Sequence, residues 1–71
     1  MGSHQLASLI RMANQIAENN RHVGDDAAVA HVVSGHLSRF WARSMKQQIQ
    51  AYLEAGGEEL NPAARVAIAQ L

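Results

Sequence analysis

The side chains of this 71-residue chain that could bind a metal or act as acids and bases are four histidines and six carboxylates. His31 and His36 are five positions apart, and on a helix this spacing turns the two rings away from each other. A zinc-binding pair needs a spacing of three or four. No carboxylate lies three or four residues from either histidine. The sequence therefore predicts surface or boundary histidines, and no metal site.

Nor do the remaining polar residues form a recognisable catalytic set. Asp25-Asp26 and Glu58-Glu59 are sequence neighbours, whose side chains point apart, so neither pair forms an acid–base dyad by itself. The serines have no assignable histidine and acid, and the chain has no cysteine. Gly56-Gly57 precedes acidic residues and not a lysine, so it is not a phosphate-binding loop. We expect no catalytic, cofactor-binding or metal-binding residue.

The stretch His36–Gly57 contains the only Trp, Phe and Tyr of the chain, and it predicts an amphipathic helix. One stripe, at spacings of four, four and three, consists of Trp41, Met45, Ile49 and Tyr52. A neighbouring basic stripe consists of Arg39, Arg43 and Lys46, and no acidic residue occurs between Asp26 and Glu54. Such a pattern fits either a core with a solvated edge or a surface that binds another protein.

The sequence predicts helices and no strands, so these residues should be positioned by a small all-α bundle of three to four short helices. The apolar spacing predicts a first helix over Gln5–Asn20, followed by a loop that closes on Gly24. A second helix should begin at the N-cap pair Asp25-Asp26. Its apolar stripe comprises Val29, Val33, Leu37 and Phe40. Gly35 lies inside this helix, either because another helix packs closely against it or because it is tolerated.

The stripes of the second and third helices are out of phase, which predicts a kink or turn between Ser38 and Trp41, with Ser38 as a cap. The third helix should end at Gly56-Gly57, since glycine adopts left-handed geometry without a Cβ clash. A fourth helix should begin at Asn61-Pro62, an N-cap followed by proline at the first helical position.

Composition and charge limit the classes of function. The formal net charge is zero with neutral histidines, whereas a sequence-independent nucleic-acid binder needs a basic excess. No apolar run approaches the roughly 18–20 residues of a membrane span, and no signal peptide is evident, so we expect a cytoplasmic protein. Met1–His4 is typical of a cloning remnant, which leaves residues 5–71 as one helical domain. So short a chain should gain stability by burying surface against a partner.

Three segments of the chain carry a family resemblance: LIRMANQIA at Leu9–Ala17, VVSGHLSRFWARSMKQQIQAYLEAGG at Val32–Gly57, and LNPAARVAIAQL at Leu60–Leu71. Together and in this order they resemble the delta subunits of soluble molybdenum- or tungsten-containing NAD-dependent formate dehydrogenases. The chain departs from the family pattern at Ala42, because members often carry a proline shortly after the Phe-Trp pair. Asn19–His31 has no counterpart.

The resemblance implies a non-catalytic accessory subunit with no cofactor of its own. In that family the large subunit holds a molybdopterin cofactor in the bis-guanine-dinucleotide form and iron–sulfur clusters, and other subunits hold flavin and accept NAD. The delta subunit is associated with assembly, stability or cofactor maturation of the complex. We therefore expect the partner to be the large, molybdopterin-binding subunit of a formate dehydrogenase, with a homodimer formed by the isolated chain.

Trp and Arg are enriched among residues that contribute most to protein–protein binding, which makes Trp41 the first candidate anchor, with Phe40 beside it. The complete set of candidate partner-binding residues is Asn14, Arg39, Phe40, Trp41, Arg43, Met45 and Lys46. Each has an intramolecular alternative: the rings could be core, the basic stripe solvated, and Asn14 a surface residue or local cap. Adjacent residues on a helix point about 100° apart, so one of the two rings should face outward.

Two other functions compete with the accessory subunit. The chain could be a stand-alone regulatory or nucleic-acid-binding module that uses the basic face of the third helix, and this function predicts salt-dependent binding to DNA or RNA. It could also be an enzyme in its own right, which would need a pocket that four short helices rarely enclose.

Overall fold

The computed structural model describes residues 2–71, with side chains from His4 onward, and it contains four α-helices. Their bounds are α1 Gly2–Asn19, α2 Asp26–Phe40, α3 Arg43–Glu54 and α4 Pro62–Ala69, with one turn of 3-10 helix at Arg21–Val23. No strand occurs within residues 2–71. The predicted all-α class is confirmed. Of the expected remnant Met1–His4, Met1 lies outside the described residues and Gly2 already belongs to α1.

Two predicted N-caps form as side-chain hydrogen bonds. The backbone N–H of Ala28 donates to Asp25 Oδ1 at 3.0 Å, and that of Ala64 donates to Asn61 Oδ1 at 2.8 Å. Both bonds satisfy amide groups that have no partner inside the helix. The predicted loop after α1 contains the 3-10 turn, and Asn20 Nδ2 donates to the carbonyl of Ile16 at 2.8 Å.

The predicted break between the second and third helices occurs at Trp41 and Ala42, so His36–Gly57 is not one continuous helix. Ser38 is not its cap, because it lies inside α2. The residue that precedes α3 is Ala42, which has no side-chain oxygen and makes no capping bond. Trp41 has an extended backbone, with φ −85° and ψ 140°, and its N–H donates to the carbonyl of Leu37 at 3.0 Å.

The C-terminus of α3 is closed by its two glycines. The N–H groups of Gly56 and Gly57 donate to the carbonyls of Leu53 and Tyr52, each at 3.0 Å, which is the hydrogen-bond pattern of a Schellman motif. Gly57 has φ +58°, and a Cβ there would lie 2.9 Å from Leu53 Cδ1. The guanidinium of Arg65 donates to the carbonyls of both glycines, which joins α4 to the end of α3.

The core lies between all four helices and is rich in small residues. α4 packs chiefly against α2, and the alanines buried on α4 are Ala63, Ala64 and Ala67. Small side chains shorten the distance between helix axes, so these two helices can pack closely. The larger side chains with less than 2% exposure are Leu9, Leu37, Ile49, Ile68, Val29 and Val33. No helix among the described residues has the length and apolar character needed to cross a membrane.

Candidate protein-binding surface

The two adjacent aromatic residues at the end of α2 have opposite environments. Trp41 is 8% exposed and belongs to the core, whereas Phe40 is 69% exposed. Phe40 was expected on the buried stripe with Leu37, but it is the last residue of α2 and no other element covers its ring. The extended backbone at Trp41 turns the chain, so helical spacing no longer decides where the indole points. Trp41 is therefore not accessible as the first anchor, and Phe40 is the exposed ring.

Phe40 has a cationic and an imidazole neighbour on its own helix. The Cζ atom of Arg39 lies 5.8 Å from the centroid of the Phe40 ring, within the range of a cation–π contact. The centroid of the His36 ring lies 4.9 Å from that of Phe40, with the ring planes tilted by 48°. With Arg43 at the start of α3, these residues form what we call the corner surface: His36, Arg39, Phe40 and Arg43.

The predicted basic stripe is divided between two helices, since Arg39 lies on α2 while Arg43 and Lys46 lie on α3. Arg43 and Lys46 line a groove of about 250 Å³ together with Ser38 and Leu71. Lys46 Nζ donates to the carbonyl of Ser38 at 3.1 Å, which ties α3 to α2 across the break.

The two arginines of the corner surface carry charges that the chain itself does not neutralise by contact. The single ion pair between side chains of residues 4–71 joins Arg21 to Asp26, with 2.8 Å between Arg21 Nη2 and Asp26 Oδ1. Arg39 and Arg43 therefore have no acidic partner in the part of the chain that the structure describes. Their guanidinium groups can pair with carboxylates of another molecule without first breaking an ion pair.

Asn14 lies away from the corner surface, and its amide is used inside the chain. Its Nδ2 donates to the carbonyl of Glu59 at 2.8 Å, and its Oδ1 accepts from the N–H of Asn61 at 2.8 Å. Both polar ends of the side chain therefore hold the turn before α4 against α1. This geometry corresponds to the intramolecular alternative for Asn14.

Met45 is the last of the expected binding residues, and it is partly buried against the core. Of the seven residues expected to bind a partner, Arg39, Phe40 and Arg43 are exposed, and Arg39 contacts the ring of Phe40. Sequence reasoning missed His36, although its spacing of four from Phe40 on one helix was a usable signal. It also missed Val32, which is 39% exposed on the same helix.

The described residues contain no group of three or more histidine, aspartate or glutamate side chains that could hold a metal ion. A second groove, of about 360 Å³, lies between α3 and α4 and is lined by Gln50, Leu53, Glu54, Ile68 and Ala69. Glu54 is the only ionisable side chain in that lining. The exposed ring of Phe40, by contrast, lies beside the guanidinium group of Arg39.

The fold and this surface define a small all-α protein that exposes an aromatic ring with an arginine beside it. A comparison with protein families gives a match over residues 8–68 to the NADH-dependent formate dehydrogenase delta subunit family, FdsD. The chain belongs to this family, as its resemblance to these delta subunits predicted. Comparisons with curated proteins and with solved structures give no match.

Proposed function

We propose that this chain is a non-catalytic accessory subunit of an NADH-dependent formate dehydrogenase complex. It docks through the corner surface on the large, molybdopterin-binding subunit and supports the assembly, stability or cofactor maturation of that subunit. Membership of the delta subunit family supports the association with such a complex. The observation that carries the choice of surface is the 69% exposure of Phe40, the largest value among the large apolar side chains of residues 4–71.

The corner surface has the composition of a protein-binding site. Aromatic and arginine side chains are enriched in interfaces, because they bury a large area and make geometrically specific contacts. Arg39 is held beside the Phe40 ring by the cation–π contact, so a partner would meet the two groups as one unit. In the absence of the large subunit, a second copy of the chain could cover the same ring and form the expected homodimer.

The test is to co-express the tagged chain with the large subunit and to compare Phe40→Ala with Val66→Ala. Val66 is 41% exposed on α4, so its variant is a control for the loss of an exposed apolar side chain. We expect Phe40→Ala to weaken binding by about 10- to 100-fold, as for a central interface residue. Its thermal unfolding should stay close to that of the wild type, because an exposed ring contributes little to the fold.

The two proposed roles in the complex differ in a second measurement, the molybdenum content per large subunit. A role in cofactor maturation predicts a large subunit with less molybdenum when it is produced with Phe40→Ala. A role in assembly or stability predicts a lower yield of complex with unchanged molybdenum per large subunit. Equal binding by Phe40→Ala and wild type would contradict the proposed surface, and a wild-type chain that fails to bind the large subunit would contradict the proposed partner.

A further inference from the structure

Gly35 lies near the middle of α2, where glycine destabilises a helix relative to alanine. A Cβ added at Gly35 would meet nothing within 4 Å. Gly24, Gly56 and Gly57 differ from it, since each has a positive φ that suits glycine. Neither the backbone conformation nor the packing of the chain on itself therefore requires glycine at position 35.

Gly35 belongs to a face of α2 that no other helix of the chain covers completely. Val32, Gly35, His36 and Arg39 follow the spacing i, i+3, i+4, i+7, which places them on one side of the helix. We call this set the α2 outer face. Val32 is 39% exposed, Arg39 is exposed, and Gly35 and His36 are half-buried. At its C-terminal end this face adjoins the exposed ring of Phe40.

The segment that contains this face carries formal charge of one sign, because no acidic residue lies among its basic residues. Arg39 lies on the α2 outer face and Arg43 follows it at the start of α3, and no acidic residue occurs between Asp26 and Glu54. An acidic side chain on a partner would therefore find cations and no competing carboxylate from this part of the chain. Val32 supplies apolar contact area on the same face.

We propose that the α2 outer face binds one acidic α-helix of the large subunit, which crosses α2 at Gly35. The absence of a side chain at the crossing lets the two helix backbones approach closely, because the distance between packed helices is set by the side chains at their contact. An acidic side chain of the partner helix pairs with Arg39, and an apolar one packs against Val32. This inference rests on the proposed function and adds the secondary structure and chemistry of the partner segment.

The decisive variant is Gly35→Ala, because it should change folding and binding in opposite directions. In the isolated chain the new methyl group meets open space, and alanine favours the helix, so the unfolding midpoint should rise by about 4–8 °C. In the complex the same methyl group enters a close helix crossing, and affinity for the purified large subunit should fall about tenfold. A structural role alone cannot produce both effects.

Gly35→Leu places a larger side chain than alanine at the same position and should weaken binding on the order of a hundredfold. Its matched control is Ala51→Leu, which adds a large side chain at an exposed position of α3 and should bind like the wild type. Arg39→Glu should also weaken binding, and for that variant the affinity should no longer fall as ionic strength rises.

Three results would overturn this inference. One is a large subunit that binds the wild type and both Gly35 variants equally, which leaves the proposed function intact. The second is a Gly35→Leu variant that converts a homodimer into monomers but still binds the large subunit. In that case the α2 outer face binds a second copy of the chain. The third is binding of duplex DNA or RNA that is lost with Arg39→Glu while binding of the large subunit is unchanged. Failure of the wild type to bind the large subunit would instead remove the proposed function itself.

Discussion

At the scale of single residues, Asn14 shows how one amide can join segments that are distant in sequence. Its side chain bonds backbone groups of Glu59 and Asn61, which are 45 and 47 positions away. The N–H of Asn61 is partly buried and depends on Asn14 Oδ1 as its acceptor. Since Asn61 also caps α4, the amide of Asn14 fixes where that helix begins.

We therefore expect Asn14→Ala to lower the free energy of unfolding by about 1–3 kcal/mol, because it leaves the partly buried N–H of Asn61 without its acceptor. Gln15→Ala is the matched control on α1, since the Gln15 amide bonds only the exposed Asn19 side chain, at 3.0 Å. Its effect should stay within about 0.5 kcal/mol. Urea denaturation of both variants measures the difference, and equal losses of stability would show that Asn14 is not the joint between α1 and α4.

At the scale of elements, the four helices begin and end for different reasons. α2 and α4 begin at side-chain caps, whereas α3 begins at Ala42 without one. The end of α3 depends on Gly57, where φ is +58° and where Leu53 Cδ1 and Arg65 Nη1 would lie 2.9 and 3.1 Å from an added Cβ. The turn between α3 and α4 thus needs both the conformation and the small size of glycine.

Gly57→Ala should destabilise the chain by at least about 1–2 kcal/mol, which is the approximate cost of left-handed geometry for a residue with a Cβ. The close contact with Arg65 adds to this loss, because the guanidinium must shift by a few tenths of an ångström while it bonds the carbonyls of Gly56 and Gly57. In the same thermal unfolding assay, Gly35→Ala should instead stabilise the chain. A Gly57→Ala variant that melts at or above the wild-type temperature would mean that the turn adopts another conformation.

At the scale of the whole molecule, the structure measures 36 × 24 × 18 Å along its principal axes, and alanines make up six of the fifteen buried apolar side chains within residues 4–71. A small domain buries a smaller fraction of its surface than a large one, so it has little stability to spare. Any partner that binds the folded chain stabilises it by mass action. An accessory subunit of this size would therefore gain stability from the complex that it supports.

The net charge of the chain is zero, but the charges are unevenly distributed: residues 27–53 contain three of the six basic residues, Arg39, Arg43 and Lys46, and none of the six carboxylates. We expect Arg43→Glu to weaken binding to the large subunit more than Arg11→Glu does, by about tenfold, although both substitutions change the net charge equally. Arg11 lies on α1 and bonds only Ser8, at 3.3 Å. Titration of each variant with the large subunit at low and at high ionic strength measures the difference in affinity. Equal losses would show that overall charge, and not the corner surface, governs association.

The local features of this fold could be predicted from sequence because they depend on residues a few positions apart. The caps at Asp25 and Asn61 and the glycine turn after α3 satisfy backbone groups of their immediate neighbours, and the break after α2 follows from the change of phase between two apolar stripes. The family could be predicted as well, because its motifs lie in order along the chain.

The tertiary structure alone decided which of two adjacent rings is exposed and what the Asn14 amide contacts. Helical spacing placed Phe40 on the buried stripe, but burial depends on whether another element covers that turn, and none does. Trp41 enters the core because the chain leaves helical geometry at that residue. Asn14 and Asn61 meet only after α1 and α4 pack together, and no local pattern encodes that distance. Local spacing determined the helices of this protein, whereas long-range packing determined its surface.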